Sequence, residues 1–204
     1  MAAVGVADRG GLDGLSMRKL GQELGVDAMA LYRHVRNKDD LLDGLVEAIV
    51  GQIDRPQPGD EWQATLRGQA MAARRVMLSH PWARQVLEER GTGGPATLTH
   101  IESALATLRD GGFSIELAHH ALHVLGSRIF GFTQDLFEET GPDEPPPEVA
   151  TAQARALAAY PRVSELAQSV SHEGVLGRCD DDVEFAFGLD LVLDGLESLR
   201  TRRR

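Results

Sequence analysis

The stretch between residues 18 and 38 is rich in basic side chains, although the whole chain carries a formal net charge of −10. It holds five basic and two acidic side chains. The basic ones are Arg18, Lys19, Arg33, Arg36 and Lys38. Guanidinium and ammonium groups neutralise phosphates, and an arginine can also donate two hydrogen bonds to one guanine. This composition predicts binding to double-stranded DNA, whereas the acid excess of residues 56–204 would discourage non-specific DNA binding elsewhere.

Two histidines, His119 and His123, lie four residues apart, a spacing that places them on one face of a helix. Such a pair can hold Zn²⁺ when further ligands come from another helix. No HExxH motif accompanies them, so we expect them in a pocket wall or an interface. The acidic run from Asp180 to Asp182 favours the positive end of the following helix dipole, and His80 is expected to cap a helix end. We therefore expect neither a metal nor another cofactor.

Motifs for catalysis are lacking in the sequence. There is no GxSxG elbow, no pair of carboxylates at a spacing that suits acid–base chemistry, and no lysine after the glycine-rich GTGGP at 91–95. The chain's one cysteine, Cys179, has no second thiol for a disulfide or a CxxC motif. We expect no enzyme activity. The alternative from another class is a helical small-molecule-binding or hydrolytic bundle without specific DNA binding.

The elements that must position the basic stretch are helices. Apolar residues recur every three or four positions, alternating β-branched runs are scarce, and the breaks fall at glycine and proline. The predicted fold class is therefore all-α. The predicted helices are 2–9, 16–24, 27–34, 38–53, 61–78, 82–90, 96–110, 115–137, 147–158, 162–171 and 182–200. The segment RPQPGDE at 55–61 marks the boundary between a small helix-turn-helix head, 1–54, and a helical-bundle body, 55–204.

Capping and turn residues define the first half of the helix-turn-helix. Ser16 is expected to cap the second predicted helix, whose apolar face includes Met17 and Leu24. Gly25 permits the left-handed backbone of a tight turn between two helices. Val26 is expected to fill the small core beneath that turn.

The helix after the turn presents one open side. Asp27 is expected to cap it, and Leu31 and Val35 face the core one turn apart. The open side then carries Ala28, Met29, Tyr32 and Arg33. Small, apolar and cationic side chains of this kind suit base edges in a major groove. Asn37 is expected to cap the fourth helix, with Asp40 as its capping-box partner.

Residues 11–42, GLDGLSMRKLGQELGVDAMALYRHVRNKDDLL, resemble the signature of the tetracycline-repressor (TetR) family of bacterial regulators. The departure is Gly21, where the family usually has alanine, and its expected effect is a helix-propensity loss of about 1 kcal/mol. The resemblance implies a DNA-binding regulator, most simply a repressor but compatible with an activator, that responds to a small molecule. It implies phosphate contacts from Ser16, Tyr32, His34 and Lys38. It implies base contacts from Met17, Arg18, Ala28, Met29, Ala30 and Arg33, with Arg18 facing a guanine.

The body resembles the C-terminal domain of the tetracycline-repressor subclass, through GGFSIELAHHALHVLGSRIFGF at 111–132 and EFAFGLDLVLDGLESL at 184–199. This implies a ligand-binding and dimerisation domain, a homodimer that pairs the helices 115–137 and 182–200, and a palindromic operator. The implied effector pocket is lined by Gln69, Ala73, Met77, Leu87, His119, Leu122, Ser127 and Phe130. Because Leu87 falls on or near the position of the subclass's metal-binding histidine, we expect a hydrophobic or aromatic effector rather than a magnesium–tetracycline complex.

No stretch approaches the roughly 18 uninterrupted apolar residues of a membrane span, and the start MAAVGVADRGG lacks the features of a secretory signal. We expect a cytoplasmic protein without membrane contact. Family members usually carry a further turn or two before the equivalent of AAVGVADRGG, so we expect either that the given sequence starts late or that the first helix is truncated.

Overall fold

A computed structural model gives the fold of residues 1–54, 61–90, 94–131, 147–170 and 181–202. Every regular element in these ranges is an α-helix, which confirms the predicted fold class. The helices are α1 Ala2–Gly10, α2 Met17–Leu24, α3 Ala28–Leu31, α4 Lys38–Val50, α5 Trp62–Ser79, α6 Ala83–Arg90, α7 Pro95–Asp110, α8 Ile115–Phe130, α9 Pro147–Ala158, α10 Pro161–Val170 and α11 Asp181–Arg202. None of these described helices is both long and apolar enough to cross a membrane.

The chain divides into two compact units, residues 1–131 with 189–204 and residues 132–188. In the first unit, α5, α7 and α8 pack on one another, and Arg67 of α5 is ion-paired with Asp190 of α11 at 2.7 Å. In the second unit, α9 and α10 pack against each other.

Local signals set the helices of the head where the sequence predicts them. Ser16 Oγ accepts a hydrogen bond from the backbone N–H three residues on, at 3.2 Å, and Asn37 Oδ1 caps α4 in the same way at 2.8 Å. Gly25 ends α2 in the left-handed conformation, with φ 67°. The Val26 N–H then donates to the Gly21 carbonyl at 2.9 Å. This bond closes a Schellman motif, in which a left-handed glycine turns the chain sharply out of a helix.

The turn between α2 and α3 is less buried than the sequence predicts. Leu24 and Val26 are 48 % and 45 % exposed, so the prediction that they pack in the core is wrong. All residues from 22 to 27 are exposed, so the core of the head does not cover the end of α2 or the turn after it. Val26 contributes through its backbone N–H, and its side chain lies in solvent.

Two further local predictions for the head are wrong. The recognition helix α3 is shorter than the predicted 27–34, because the chain beyond Leu31 tightens into a turn in which the His34 N–H donates to the Leu31 carbonyl at 2.8 Å. Asp40 does not close a capping box. Its carboxylate accepts a hydrogen bond from the Arg36 N–H at 3.0 Å instead, and so orders the residue before the cap.

One hydrophobic core joins the head to α5 and α6. From α4 it takes Leu45 and Ile49, which are 2 % and 1 % exposed. It takes Trp82 from the corner between α5 and α6, and Val86 from α6. Helix α4 also packs against α6 and α7. The position of the head therefore depends on how these neighbouring helices hold α4.

Most helix boundaries in the body lie within two residues of the predicted ones. The predicted end of the 115–137 helix is wrong, because α8 ends at Phe130, where Gly131 adopts an extended backbone. Most of the 55–61 boundary segment, Cys179 and Asp180 lie outside the described residues.

Candidate functional site

The two helices of the helix-turn-helix meet closely at Gly21 on α2. A side-chain carbon placed on Gly21 would lie 2.8 Å from the Val26 carbonyl oxygen and 3.2 Å from the Ala28 nitrogen. Both are backbone atoms, so a larger residue would push the start of α3 away from α2. The sequence predicts only a lower helix propensity at this position. In the structure, Gly21 also sets the distance between the two helices.

The recognition helix α3 turns one residue inward and leaves its other face open. Leu31 is 8 % exposed, whereas Met29 is 72 % and Tyr32 is 46 % exposed. Ala28 and Ala30 are half-buried. This is the division between inward and outward side chains that the residue spacing predicts.

Exposed basic side chains flank this open face. Arg18 and Lys19 lie in the first turn of α2, Arg33 follows α3, and Lys38 begins α4. All four are exposed and have no ion pair within the ranges that the structure describes. Cations that no carboxylate neutralises are free to bind phosphates.

Arg36 differs from these four basic residues because it is ion-paired. Its Nη2 lies 2.9 Å from Asp40 Oδ1, and its backbone N–H bonds to the other carboxylate oxygen. The side-chain hydrogen bonds from Arg36 hold the pKa of Asp40 below its usual value. Arg36 is thus occupied in ordering the connection between α3 and α4.

The remaining residues with predicted DNA contacts lie on the same two helices and the turn after them. Ser16 is exposed, and because its oxygen accepts the capping bond, its hydroxyl hydrogen is left to donate. Met17 is half-buried and packs against the core of the head. His34 is exposed in the turn after α3.

A small cavity lies between the C-terminal end of α4, the middle of α5 and the first turns of α7. Its volume is about 50 Å³, below the roughly 300–1,000 Å³ of pockets that hold drug-sized ligands. It is lined by Val50, Gly51, Ile53, Gln69, Ala96, Thr99, His100 and Ser103. A larger molecule could enter only if α4 and α7 moved apart, and α4 is the helix that carries the head.

Gln69 and His100 give this cavity its polar character. Gln69 is 5 % exposed, and its Nε2 donates to Ser103 Oγ at 3.1 Å. Its Oε1 is buried without a hydrogen-bond partner in the described part of the chain, a state that costs about 1–3 kcal/mol. Burial lowers the pKa of His100, so that the imidazole is neutral at pH 7.

Of the eight residues predicted to line an effector pocket, Gln69 borders this cavity and the other seven lie elsewhere. Three belong to, or pack against, the core shared with the head: Ala73, Met77 and Leu87. Four lie half-buried or exposed on α8: His119, Leu122, Ser127 and Phe130. The rings of His119 and His123 are 4.5 Å apart between centroids.

The cavity residues contributed by α7 are missing from the sequence prediction. Thr99, His100 and Ser103 stand at positions that share one face of a helix. A polar patch on the face of a helix that must otherwise pack was the available signal. The sequence alone does not show which neighbouring helix that face meets.

His80 follows the last residue of α5, as predicted. Its side chain does not cap that helix but forms hydrogen bonds with residues of other elements. Nδ1 lies 2.7 Å from Asp8 Oδ1, and Nε2 lies 3.3 Å from Gln52 Oε1. The Trp82 indole N–H donates to the same Asp8 oxygen at 2.7 Å. Although burial acts to raise it, these hydrogen bonds hold the pKa of Asp8 below its usual value. The junction connects α1, the residues after α4 and the corner between α5 and α6.

Two more polar contacts hold α4 against the body. Arg90, the last residue of α6, donates to Asp43 at 2.8 Å and to Asp39 at 3.1 Å. Glu47 Oε2 accepts a hydrogen bond from the Ala96 N–H at the start of α7, at 2.8 Å. Helix α7, which borders the cavity, is therefore also one of the helices that hold α4.

Apolar side chains are exposed on α8 and on the C-terminal part of α11. They are Ile115, Val124, Phe130, Leu191 and Leu199, each between 38 % and 58 % exposed. Elsewhere on α11, Leu189, Leu193 and Leu196 are buried. Helix α11 thus carries apolar side chains on both its buried and its exposed sides.

Two family models match the chain. The model described as bacterial regulatory proteins, tetR family, matches residues 1–45, and the tetracyclin repressor-like C-terminal domain matches residues 55–200. The transcriptional repressor DrrR1 of Streptomyces coeruleorubidus is 32 % identical in an alignment that covers 100 % of this chain and 77 % of that protein. The class C tetracycline repressor protein of Escherichia coli is 30 % identical, over 93 % of this chain and 84 % of that protein.

Solved structures have the same fold along nearly the whole chain. Apo ActR from Streptomyces coelicolor matches with a TM-score of 0.75 and 26 % identity, covering 100 % of this chain and 94 % of that one. ActR in complex with actinorhodin matches with a TM-score of 0.71 and 28 % identity, covering 97 % and 94 %.

Proposed function

Because this chain belongs to the tetR family of bacterial regulatory proteins, we propose that it binds a palindromic operator as a homodimer and leaves it when a small molecule enters the body. The family makes the chain a DNA-binding, ligand-responsive transcription regulator. We propose that it represses transcription and that it acts in the cytoplasm.

Specific DNA binding is supported chiefly by the exposed basic side chains near α3, which form no ion pair within the described residues. Arg18 and Lys19 lie on α2, Arg33 follows α3 and Lys38 begins α4, and all four are exposed. Phosphate contacts from such groups position a recognition helix in the major groove, and base contacts then specify the sequence. We assign the guanine contact to Arg18, since an arginine can form two hydrogen bonds with that base.

The cavity beside α4 supports the proposed response to a small-molecule effector. It is lined by Thr99, His100 and Ser103 on the α7 side and by Gln69 on α5, so we propose an aromatic or hydrophobic effector that carries a hydrogen-bonding group. ActR has been solved in complex with actinorhodin, which supports an effector of small-molecule size. Entry of such a molecule would separate α4 from α7 and move the head. Two heads would then no longer match half-sites roughly 34–36 Å apart.

The exposed apolar side chains of α8 and α11 support the homodimer. A second copy would cover Val124 and Leu191, which are 41 % and 58 % exposed, and symmetric pairing is the usual way that a soluble protein buries such surface. Two copies also provide the two recognition helices that a palindrome requires.

Selection of bound sequences from random duplex DNA, with the purified full chain, tests the operator. We expect a palindrome with half-sites one helical turn apart, and an affinity that falls by on the order of a hundredfold or more between about 50 and 200 mM salt. Sedimentation should show a dimer. A monomer that binds all duplexes equally, or that turns over a small molecule, would contradict the proposal.

A side chain that fills the cavity tests the release mechanism without knowledge of the effector. Ser103→Phe should weaken operator binding at least about tenfold, because the ring takes the place of the effector between α4 and α7. Ala106→Phe, at an exposed position of the same helix, is the matched control and should leave binding unchanged. Equal effects of the two variants on operator binding, at equal melting temperatures, would exclude this cavity as the effector site.

A further inference from the structure

We infer that α3 reads thymine in the operator, through contact between the Met29 side chain and the 5-methyl group of the base. The inference rests on the operator binding proposed above and names the chemistry that a half-site must offer to α3. In the major groove, the 5-methyl group of thymine is the apolar feature that distinguishes a base pair.

Helix α3 itself offers DNA no side chain that forms strong hydrogen bonds. Its four residues are Ala28, Met29, Ala30 and Leu31. The carboxylate of the capping Asp27 is turned onto the Met29 N–H, at 2.7 Å. Methyl groups and a thioether cannot tell guanine from adenine by the pattern of donors and acceptors. The discrimination that α3 makes must therefore come from apolar contact and fit.

The way in which α3 is anchored directs Met29 outward. Leu31 is buried, and at 100° per residue it lies about 200° around the helix from Met29. Gly21 lets the start of α3 approach the backbone of α2 closely, which leaves little room for the helix to rotate. Met29 is consequently 72 % exposed. Contact between this exposed apolar side chain and a DNA methyl group removes apolar surface from water and so lowers the free energy of the complex.

Side chains that donate hydrogen bonds lie on either side of α3. Arg18 is on α2, and Tyr32 and Arg33 follow α3, all three exposed. They suit phosphates and guanine edges, whereas the position opposite Met29 is left to apolar contact. A half-site should therefore place thymine opposite Met29, beside the hydrogen-bonded positions.

The test removes the methyl group and changes nothing else. Once an operator has been selected with the full chain, each thymine is replaced in turn by uracil, which keeps every hydrogen-bonding group of the base. Opposite Met29 the affinity should fall about fourfold per half-site, the amount that burial of one methyl group contributes. Changing both half-sites should cost on the order of tenfold. 5-Methylcytosine at this position should recover part of the affinity that cytosine loses, because it carries the same methyl group.

Two variants assign the effect to Met29. Met29→Ala should make binding indifferent to that uracil, because the side chain that touches the methyl group is gone. Met29→Gln matches methionine in length and helix propensity, and should move the preference at this position from thymine toward adenine, whose N6 and N7 pair with an amide. Since Met29 is exposed, neither variant should lower the melting temperature appreciably.

The outcomes separate this inference from the proposed function. If the chain selects a palindrome but no uracil weakens binding, or if Met29→Ala stays equally sensitive, α3 does not read the methyl group and the repressor proposal stands without it. If the chain selects no palindrome, the proposed function itself fails, and the reading of thymine fails with it.

Discussion

The open face of α3 and the cavity beside α4, the two binding surfaces proposed above, differ in their contact with solvent. On α3, Met29 is 72 % exposed and Arg33 is exposed. DNA binding there is favoured because it removes the apolar Met29 side chain from water and pairs Arg33 with phosphate. In the cavity, Gln69 is 5 % exposed with an unpaired oxygen, so binding gains by satisfying a group that is now buried. Because the two surfaces lie on different elements, we expect single substitutions to separate DNA binding from effector binding.

The largest effect should come from breaking the core that the two surfaces share. Ile49 on α4 is 1 % exposed within that core, so Ile49→Ala should lower the free energy of unfolding by about 2–5 kcal/mol. Urea denaturation followed by tryptophan fluorescence measures this change. Leu24→Ala, at a residue 48 % exposed in the head, is the control and should cost less than about 1 kcal/mol. A head that unfolds separately from α5 and α6 would contradict a shared core.

The next effect should fall on the DNA surface and leave the cavity untouched. Arg18→Ala removes the proposed guanine contact and should weaken binding to the selected operator about ten- to hundredfold, with a much smaller loss on random DNA. Titration of labelled duplexes gives both affinities. Arg162→Ala is the control, since that side chain is 90 % exposed on α10 and pairs with Glu165. Equal losses on operator and random DNA would mean that Arg18 holds only a phosphate.

A third change acts on the cavity and should leave operator binding intact. Gln69→Leu removes the unpaired Oε1 and loses the bond to Ser103, so the free energy of unfolding should rise by about 1 kcal/mol in the absence of effector. Ser103→Ala does the reverse, because it leaves the Gln69 amide without its acceptor, and should cost about 1 kcal/mol. Thermal melting of both variants gives the signs. A loss of stability in Gln69→Leu would show that Gln69 is already satisfied.

The smallest effect concerns pH and again belongs to the buried surface. Burial holds the pKa of His100 below its ordinary value of 6.5, so the unfolded chain takes up this proton first as the pH falls. The contribution of His100 to stability is therefore constant above about pH 7.5 and declines as the pH falls through 6.5 toward the lowered pKa. Urea midpoints at pH 7.5 and 5.5 should differ less in His100→Gln than in the natural chain. His120→Gln, at an exposed histidine, is the control and should keep the full difference.

The parts of the head that the sequence predicts correctly are those whose partners lie within a few residues. Ser16 and Asn37 cap helices three residues away, and Gly25 adopts the left-handed conformation that its turn requires. The errors at Leu24 and Val26 have a different origin. Which side of a turn is covered depends on neighbours that residue spacing does not reveal, and at this turn no neighbour covers them.

What the sequence by itself determined is the helix-turn-helix with its outward Met29 and its basic flanks, because caps, turns and helical periodicity act over four residues or fewer. What only the tertiary structure decided is where the body meets the head. Asp8 bonds to His80 across 72 residues, and Glu47 to the Ala96 N–H across 49. Such pairings follow from how helices pack, and packing is settled by the burial of whole faces rather than by any local pattern.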